Sequence, residues 1–287
     1  RQRQMFIRDR MGISLFSEID RYTLEDAEVR LYYRLTLLDG TTESIPMGIY
    51  EVSEANRKVR TLELKGYDHM LRFEKSLKLE SSSGTPYQFL KAACDACKVE
   101  MAQTKEEIEA LPNAKETLGI YAENDMETWR DLLYYVAQVL GCICLINREG
   151  KLQLVPYSDT AVITIPQRER FSSSYSDFVT RYTAISSTNQ LKEISEYYAL
   201  DPDDALTMNL GINPLLQFGL AATRERILMN ILYALSKVEY VPFDSSTIGN
   251  PALDPMDIVQ FTGGHADADK VLSLIHISEP TRPEPIS

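Results

Sequence analysis

Four cysteines form two closely spaced pairs, and by count they could hold a metal ion. Cys94 and Cys97 are separated by two residues, and Cys142 and Cys144 by one. Four thiolates are a common ligand set for structural zinc, usually presented on tight turns. Here the first pair lies in a predicted helix and the second on one face of a predicted strand. We therefore predict that the thiols are buried as apolar groups. Zinc is the alternative, and a redox CxxC role lacks its usual βαβ context.

A histidine and a group of carboxylates are further candidates for chemistry. Asp68 and His69 are adjacent, but neighbours on a strand point to opposite faces, so we predict a surface or capping histidine. Asp201, Asp203 and Asp204 could bind Ca²⁺. The sequence around them lacks the Gly and Glu that complete a calcium loop, so a solvated turn is favoured.

These patterns assign no catalytic, cofactor-binding or metal-binding residue. His265 also receives no role. The sequence contains no Gly-x-Ser-x-Gly, no His-Glu-x-x-His and no phosphate-binding glycine loop. Carboxylate pairs for glycoside hydrolysis stay open, because acidic residues are abundant. We therefore expect no cofactor and no enzymatic activity in this stretch.

Aromatic residues occur in adjacent pairs that could stack on a sugar or lie at a subunit contact. They are Trp129 and the pairs Tyr32-Tyr33, Tyr134-Tyr135 and Tyr197-Tyr198. In a strand or helix, one tyrosine of a pair can be buried while the other faces a partner. We favour core and subunit contacts over carbohydrate binding.

Composition and charge indicate an acidic globular protein. The 287 residues predict roughly two domains, and 44% hydrophobic with 25% charged residues is ordinary for a folded chain. The formal net charge of −12 disfavours binding to nucleic-acid phosphates. No run of about 18 apolar residues is present, so no membrane span is expected.

The first third of the chain predicts a β-meander. Strands are predicted at 29–37, 45–52 and 59–67, since these segments are rich in β-branched and aromatic residues and partly alternate. Asp39-Gly40 is a hairpin turn signal, residues 54–58 are predicted to turn, and Pro46 suggests an edge or a strand start.

Residues 84–158 predict an α/β insert. Capping boxes of Thr85 with Gln88 and of Thr104 with Glu107 predict the starts of two helices, the second of them short. A third helix is predicted to begin at Asn124 with Glu127 and to end at Gly141, followed by a hairpin of 142–146 and 151–155.

Beyond the insert, we predict strands at 160–165 and 178–185, a helix at 219–237 and extended segments at 240–243 and 250–261. The fold class is therefore α+β, mainly antiparallel.

The two ends suggest that the chain is a piece of a longer product. The N-terminus has no initiator Met, and we interpret it as internal. Residues 271–287 are interpreted as a translated sequencing-library adapter, because the eleven residues 272–282 match that string. On this interpretation His276 has no functional role.

Several segments, in this order, resemble the hub-type tail proteins of phages and prophages. They are residues 45–52 with 59–68, 128–133, 147–152 and 250–259. The resemblance is to the central baseplate hub of contractile tails and to the tail-associated proteins of siphophages. Met256 departs from the family pattern, which usually has Gly before the acidic residue.

The resemblance implies two tail-tube-like β-barrel domains with an insert. Residues 1–80 with 160–200 would form the first domain, residues 84–158 the insert, and residues 201–270 part of the second domain with the long helix. Three copies would form a ring in which six such domains match the sixfold tail, since complementary heterologous interfaces can close.

The implied function is that of a structural hub of the tail tip or baseplate. The trimeric ring would join the tail tube to the receptor-binding or spike apparatus. Expected partners are the chain itself, the distal tail protein, the tape-measure protein and downstream fibre or spike domains. The expected location is the virion tail, assembled in the cytoplasm of the bacterial host.

Two alternative functions stay open. One is a tail-associated peptidoglycan hydrolase or endopeptidase, with activity in downstream modules, and the other is a carbohydrate-binding receptor module.

Overall fold

The chain divides into two compact units. The computed structural model describes residues 10–175, 180–203, 205–241, 243–263 and 271–273. Of the described residues, those up to 157 and those in 181–238 form the larger unit, and those in 158–180 and from 239 onward form the smaller unit. Residues 160–180 and 181–200 therefore belong to different units, whereas the predicted grouping places both with residues 1–80. The assignment of tube-like domains stays a prediction.

The predicted α+β class is confirmed, and most strand pairs are antiparallel. The strands are β1 Arg10–Phe16, β2 Glu28–Thr36, β3 Thr42–Lys58, β4 Thr61–Tyr67, β5 Ser83–Gly84, β6 Leu118–Gly119, β7 Cys142–Ile146, β8 Leu152–Pro156, β9 Ile163–Pro166, β10 Arg170–Tyr175, β11 Ala184–Asn189, β12 Ile194–Ala199, β13 Thr207–Asn209, β14 Phe243–Thr247, β15 Ile258–Thr262 and β16 Val271–Ser273. The α-helices are α1 Pro86–Cys97, α2 Lys105–Glu109, α3 Trp129–Leu140 and α4 Ala221–Ser236.

A four-stranded antiparallel sheet opens the larger unit, with strand order β1-β4-β3-β2. Its core residues are Met11, Tyr50, Leu62 and Leu64, all buried. The alternation of buried and exposed side chains along β4 follows from the two-residue period of a strand. This alternation places one face of the sheet against its own small core.

The β2–β3 turn forms where Asp39-Gly40 predicts it. Gly40 has a φ of 84°, a conformation that favours glycine. The Asp39 carboxylate accepts hydrogen bonds from the Thr41 hydroxyl at 2.6 Å and from the Thr41 N–H at 2.9 Å. These bonds hold the pKa of Asp39 below its ordinary value. The turn is thus stabilised locally.

β3 is longer than predicted, and its first half has the open edge that Pro46 suggests. Residues 54–58, predicted to turn, continue β3, and the chain reverses at Val59 and Arg60. Pro46 lies in the first half of β3, which pairs with β2 alone, because β4 pairs with β3 only from Glu51 onward. Proline, which has no N–H to donate, is tolerated there for that reason.

The helical insert follows its local signals with one exception. α1 starts at the predicted Thr85–Gln88 capping box, α2 starts at the Thr104–Glu107 box, and Gly141 ends α3 with a φ of 62°. The prediction that Asn124 with Glu127 opens α3 is wrong. Thr128 caps α3 reciprocally with Asp131, and the Trp129 N–H, which α3 itself leaves unsatisfied, donates to the Lys75 carbonyl at 3.1 Å.

The rest of the larger unit packs α4 against a three-stranded sheet, β12-β11-β13. The fully buried Arg224 of α4 donates from Nε to both carboxylate oxygens of Glu196, at 2.9 and 3.1 Å. Its Nη1 donates to the Gly219 carbonyl at 2.7 Å. Its Nη2 lies 2.8 Å from Glu196 Oε1 but lacks hydrogen-bond geometry. Removing either partner would leave a buried charge unpaired.

The smaller unit is built on strands far apart in sequence. β15 lies between β9, which is parallel to it, and β16, which is antiparallel, and β10 pairs with β14. The Phe243 and Phe261 rings meet edge to face at 4.8 Å in a small apolar core. The predicted strand at 178–185 is confirmed only in part: Thr180 forms an isolated antiparallel bridge with Tyr240, residues 181–183 are not strand, and β11 begins at Ala184. Residues 178 and 179 lie outside the described residues.

One turn of the smaller unit places a non-glycine residue in a left-handed conformation. The Asp257 N–H donates to the Asp254 carbonyl at 3.1 Å, and Met256 has a φ of 75°. With Pro255 second and a positive φ third, this is the pattern of a type II turn, which favours glycine at the third position. At this position, the hub-type tail proteins that the sequence resembles usually have Gly.

We predict that Met256→Gly raises the free energy of unfolding of the smaller unit by about 0.5–1 kcal/mol, because it relieves the cost of left-handed backbone. Chemical denaturation followed by fluorescence measures this. Met256→Ala is the matched control, since it removes the side chain and keeps the strain. If alanine stabilises as much as glycine, the turn conformation is not the cause.

Candidate interaction surface at the β2–β3 hairpin

The outer half of the β2–β3 hairpin, residues 32–46, is here called the arm. Its β2 side chains from Tyr32 to Thr36 are all exposed, and Leu38 at the turn is fully exposed. On β3, residues 42–44 and Pro46 are exposed as well. The arm therefore shows both faces to solvent, whereas the inner half of the same hairpin packs on the sheet core.

The arm also has open edges. In the part of the chain that the structure describes, β2 is a terminal strand of its sheet, and residues 42–48 of β3 have no second strand beside them. Exposed edges carry unpaired N–H and C=O groups that can pair with another chain. Tyr32, Tyr33, Leu35 and Leu38 add apolar surface to this edge.

The base of the arm is held by the β7–β8 turn. The Arg148 guanidinium donates to the Pro46 carbonyl at 3.2 Å. The Gly150 carbonyl lies 2.7 Å from His69 Nδ1, and His69 Nε2 lies 3.7 Å from Glu28 Oε2 at the start of β2. These contacts fix where the arm leaves the unit and leave its tip free.

The prediction of a surface or capping histidine at 69 is wrong, because the side chain is buried and Asp68 supplies the cap. His69 is buried and begins a 3₁₀ segment, His69–Glu74, instead of ending a strand. Asp68 caps this segment by accepting the Met70 N–H at 2.8 Å, so its side chains do not alternate as strand side chains would. Because Gly150 O is an acceptor, His69 Nδ1 carries the proton of this hydrogen bond.

All four cysteines are buried, as the packing prediction requires. Burial raises the pKa of Cys94 to about 12 and that of Cys142 to about 12, and it also raises the pKa values of Cys97 and Cys144. The thiols are therefore protonated at neutral pH and are poor nucleophiles, since the thiolate is the reactive form. Among the described residues, no group of three or more His, Cys, Asp or Glu side chains is arranged to hold a metal ion.

The acidic and aromatic candidates are not brought together into one site. Asp201 accepts the Asp203 N–H at 3.1 Å in an exposed turn, while Asp204 and His265 lie outside the described residues. Trp129 is a core residue with 4% of its surface exposed, so it cannot stack on a sugar.

The tyrosine pairs differ from one another. Tyr134 and Tyr135 are half-buried in edge-to-face contact, and the Tyr135 hydroxyl is 3.2 Å from an Asp125 carboxylate oxygen. Tyr197 is about half exposed and Tyr198 partly buried. Tyr32 and Tyr33 are both about half exposed, on opposite faces of the arm, which departs from the expectation that one member is buried.

Comparison with known proteins finds similarity among solved structures. No family model and no curated protein matches the sequence. A 43 kDa tail protein of prophage MuSo2 from Shewanella oneidensis aligns with a TM-score of 0.49 and 11% identity, covering 89% of this chain and 84% of that one. A tail protein from Neisseria meningitidis aligns with a TM-score of 0.47 and 15% identity, covering 88% and 82%. A prophage tail protein from Listeria monocytogenes aligns with a TM-score of 0.47 and 12% identity, covering 89% and 79%.

All three of these proteins are described as tail proteins, two of them of prophages. None of the helices in the described ranges combines the length and apolarity needed to cross a membrane.

We predict that Gly150→Ala destabilises the larger unit by roughly 2–4 kcal/mol. A Cβ there would lie 2.8 Å from His69 Cε1 and 2.9 Å from His69 Nδ1, in a residue with a φ of 76°. Gly40→Ala is the matched control: its φ is 84° with nothing within 4 Å of the added carbon, so it should cost only about 1 kcal/mol. Urea denaturation compares the two, and equal losses would show that the histidine contact contributes nothing.

We also predict that folding stability falls as pH rises from about 9 towards 12. Unfolded cysteines titrate near the ordinary value of 9.0, while folded Cys94 and Cys142 titrate near 12. Their raised folded-state pKa values therefore contribute stability that is present below pH 9 and is lost as pH rises through the folded values. A Cys94→Ala/Cys142→Ala variant, although less stable throughout, should show a shallower slope in this range. An unchanged slope would contradict the assignment.

Proposed function

We propose that the chain is a structural component of a phage or prophage tail, the hub of its tip or baseplate. In this proposal three copies form a ring that joins the tail tube to the receptor-binding or spike apparatus. The ordered sequence segments that resemble hub-type tail proteins support this assignment. The two tail-tube-like β-barrel domains implied by that resemblance are part of the proposal.

The observation that carries the proposal is the arm. A two-stranded ribbon is at best marginally stable in water by itself. This ribbon shows tyrosine and leucine side chains on both faces, and both of its edges are open in the described part of the chain. An adjoining subunit that covers the arm would bury this apolar surface and pair its free backbone groups.

The position of the arm also suits ring closure. β2 and β1 are at opposite ends of one sheet, so a subunit offers two different edges in two directions. Contacts between unlike surfaces generate a closed ring when the rotation between subunits allows it. Three subunits are the number proposed, because two tube-like domains from each would match a sixfold tube.

The remaining partners follow from the proposed place in the tail. They are the distal tail protein, the tape-measure protein and downstream fibre or spike domains. The location is the virion tail after assembly in the host cytoplasm. A net charge of −12 gives the chain no general attraction for DNA phosphates, which is compatible with DNA moving through the ring. No catalytic role is proposed for the stretch.

We predict that Tyr33→Ser/Leu35→Ser, which alters one face of the arm, raises the dissociation constant of the trimer at least tenfold. Each of the two substitutions removes apolar surface that the subunit interface would bury. Because both side chains are exposed in the single chain, its free energy of unfolding should change by less than about 0.5 kcal/mol. Analytical ultracentrifugation and urea denaturation give the two quantities.

Tyr233→Ser is the control for loss of an exposed aromatic residue. Tyr233 is 51% exposed on α4, close to the 46% of Tyr33, but is not part of the arm. The Tyr233→Ser variant should form trimers with the dissociation constant of the wild type. Trimers of the arm variant with unchanged affinity, or a wild-type chain that stays monomeric at tens of micromolar, would refute the proposal.

A further inference from the structure

A cleft of about 460 Å³ in the larger unit lies away from the arm tip and has no role in the proposal so far. It is lined by Glu51 of β3, Leu71 and Arg72 of the 3₁₀ segment, Lys75 just after it, Cys97 at the end of α1, and Lys98, which caps that helix. The cleft is open to solvent on one side, and Leu71 at its rim is 43% exposed.

The lining carries three cations and one carboxylate, although the whole chain is acidic. Arg72 holds the carboxylate, because its Nε donates a hydrogen bond to Glu51 Oε1 and its Nη2 forms an ion pair with the same oxygen. The same guanidinium donates to the Lys98 carbonyl at 2.9 Å. Arg72 is therefore fixed as a rigid part of the wall, and Glu51 is neutralised by it.

The two lysines of the cleft have no such partner. In the described ranges, no carboxylate lies within ion-pair distance of Lys75 or Lys98. The acidic residues beside them in sequence are engaged elsewhere: Glu74 with Arg130, Asp95 with Lys91 and Glu100 with Lys151. Both lysines thus line one cleft, with exposed side chains and without an ion pair to a carboxylate of the described residues.

The shape of the cleft favours a side chain on a docked protein over a free small molecule. Sites for small molecules usually enclose most of the ligand surface, whereas this cleft is open. An acidic side chain with an apolar neighbour would match the lysines and Leu71 together. A second copy of this chain can supply it, since Asp and Glu number 42 against 30 Lys and Arg.

We propose that the cleft lined by Lys75 and Lys98 receives a carboxylate-bearing segment of a second copy of this chain. The inference rests on the proposed self-assembly and names a contact surface within it. It adds electrostatic complementarity to the apolar contact of the arm, and such complementarity sets register and partner choice between subunits.

The test is the charge-reversal variant Lys75→Glu/Lys98→Glu, compared with the wild type by sedimentation equilibrium. We expect the dissociation constant of the assembly to rise at least tenfold, because the same carboxylate would then meet two like charges. We also expect wild-type association to weaken several-fold between about 50 and 500 mM NaCl. The variant should lose most of this salt dependence.

The matched control is Lys91→Glu/Lys105→Glu. It changes net charge by the same amount, at exposed lysines outside the cleft that pair with Asp95 and Glu109. It should assemble close to the wild type. Circular dichroism and urea denaturation establish that both double variants are folded.

The outcomes separate this inference from the proposed function. If the arm variant dissociates and the Lys75/Lys98 variant assembles normally, the cleft assignment is wrong and the hub proposal stands. If the control variant dissociates as strongly as the cleft variant, net charge and not the cleft is responsible, which also overturns the inference. A wild-type chain that does not self-associate overturns both.

Discussion

The hydrogen bond between the buried His69 imidazole and the Gly150 carbonyl is the contact on which the arrangement of the larger unit depends. It joins the turn of the β7–β8 hairpin to a segment far away in sequence. Gly150 adopts a positive φ and leaves no room for a Cβ against the ring. With the turn held in this way, Arg148 reaches the Pro46 carbonyl at the base of the arm.

The short segment His69–Glu74 connects the two surfaces that we propose for assembly. Asp68 starts it, and the fully buried Met70 and Phe73 anchor it in contact with α1, α3, β3 and β7. His69 at its beginning supports the base of the arm, whereas Arg72 builds the wall of the cleft. A subunit interface that uses both surfaces would therefore depend on one buried anchor, which is expected to keep their spacing constant.

Charge in this protein has a local organisation that the net value hides. An excess of carboxylates disfavours association between copies at long range. The pairing of Glu51, Glu74 and Glu100 with their own cations leaves a positive cleft within that acidic surface. A local contrast of this kind favours one relative orientation of two copies over others, because only that orientation brings opposite charges together.

What the sequence determined by itself was local. The capping boxes at Thr85 and Thr104, the Asp39-Gly40 turn and the end of α3 at Gly141 were predictable, since each depends on residues within one turn of the chain. Tertiary structure decided the rest. α3 begins at Trp129 with its N–H on the Lys75 carbonyl, His69 is buried by a distant glycine turn, and β9 pairs with β15 almost a hundred residues later. The open arm and the unpaired lysines were likewise invisible in the sequence, because both depend on which strands and carboxylates the fold brings near them.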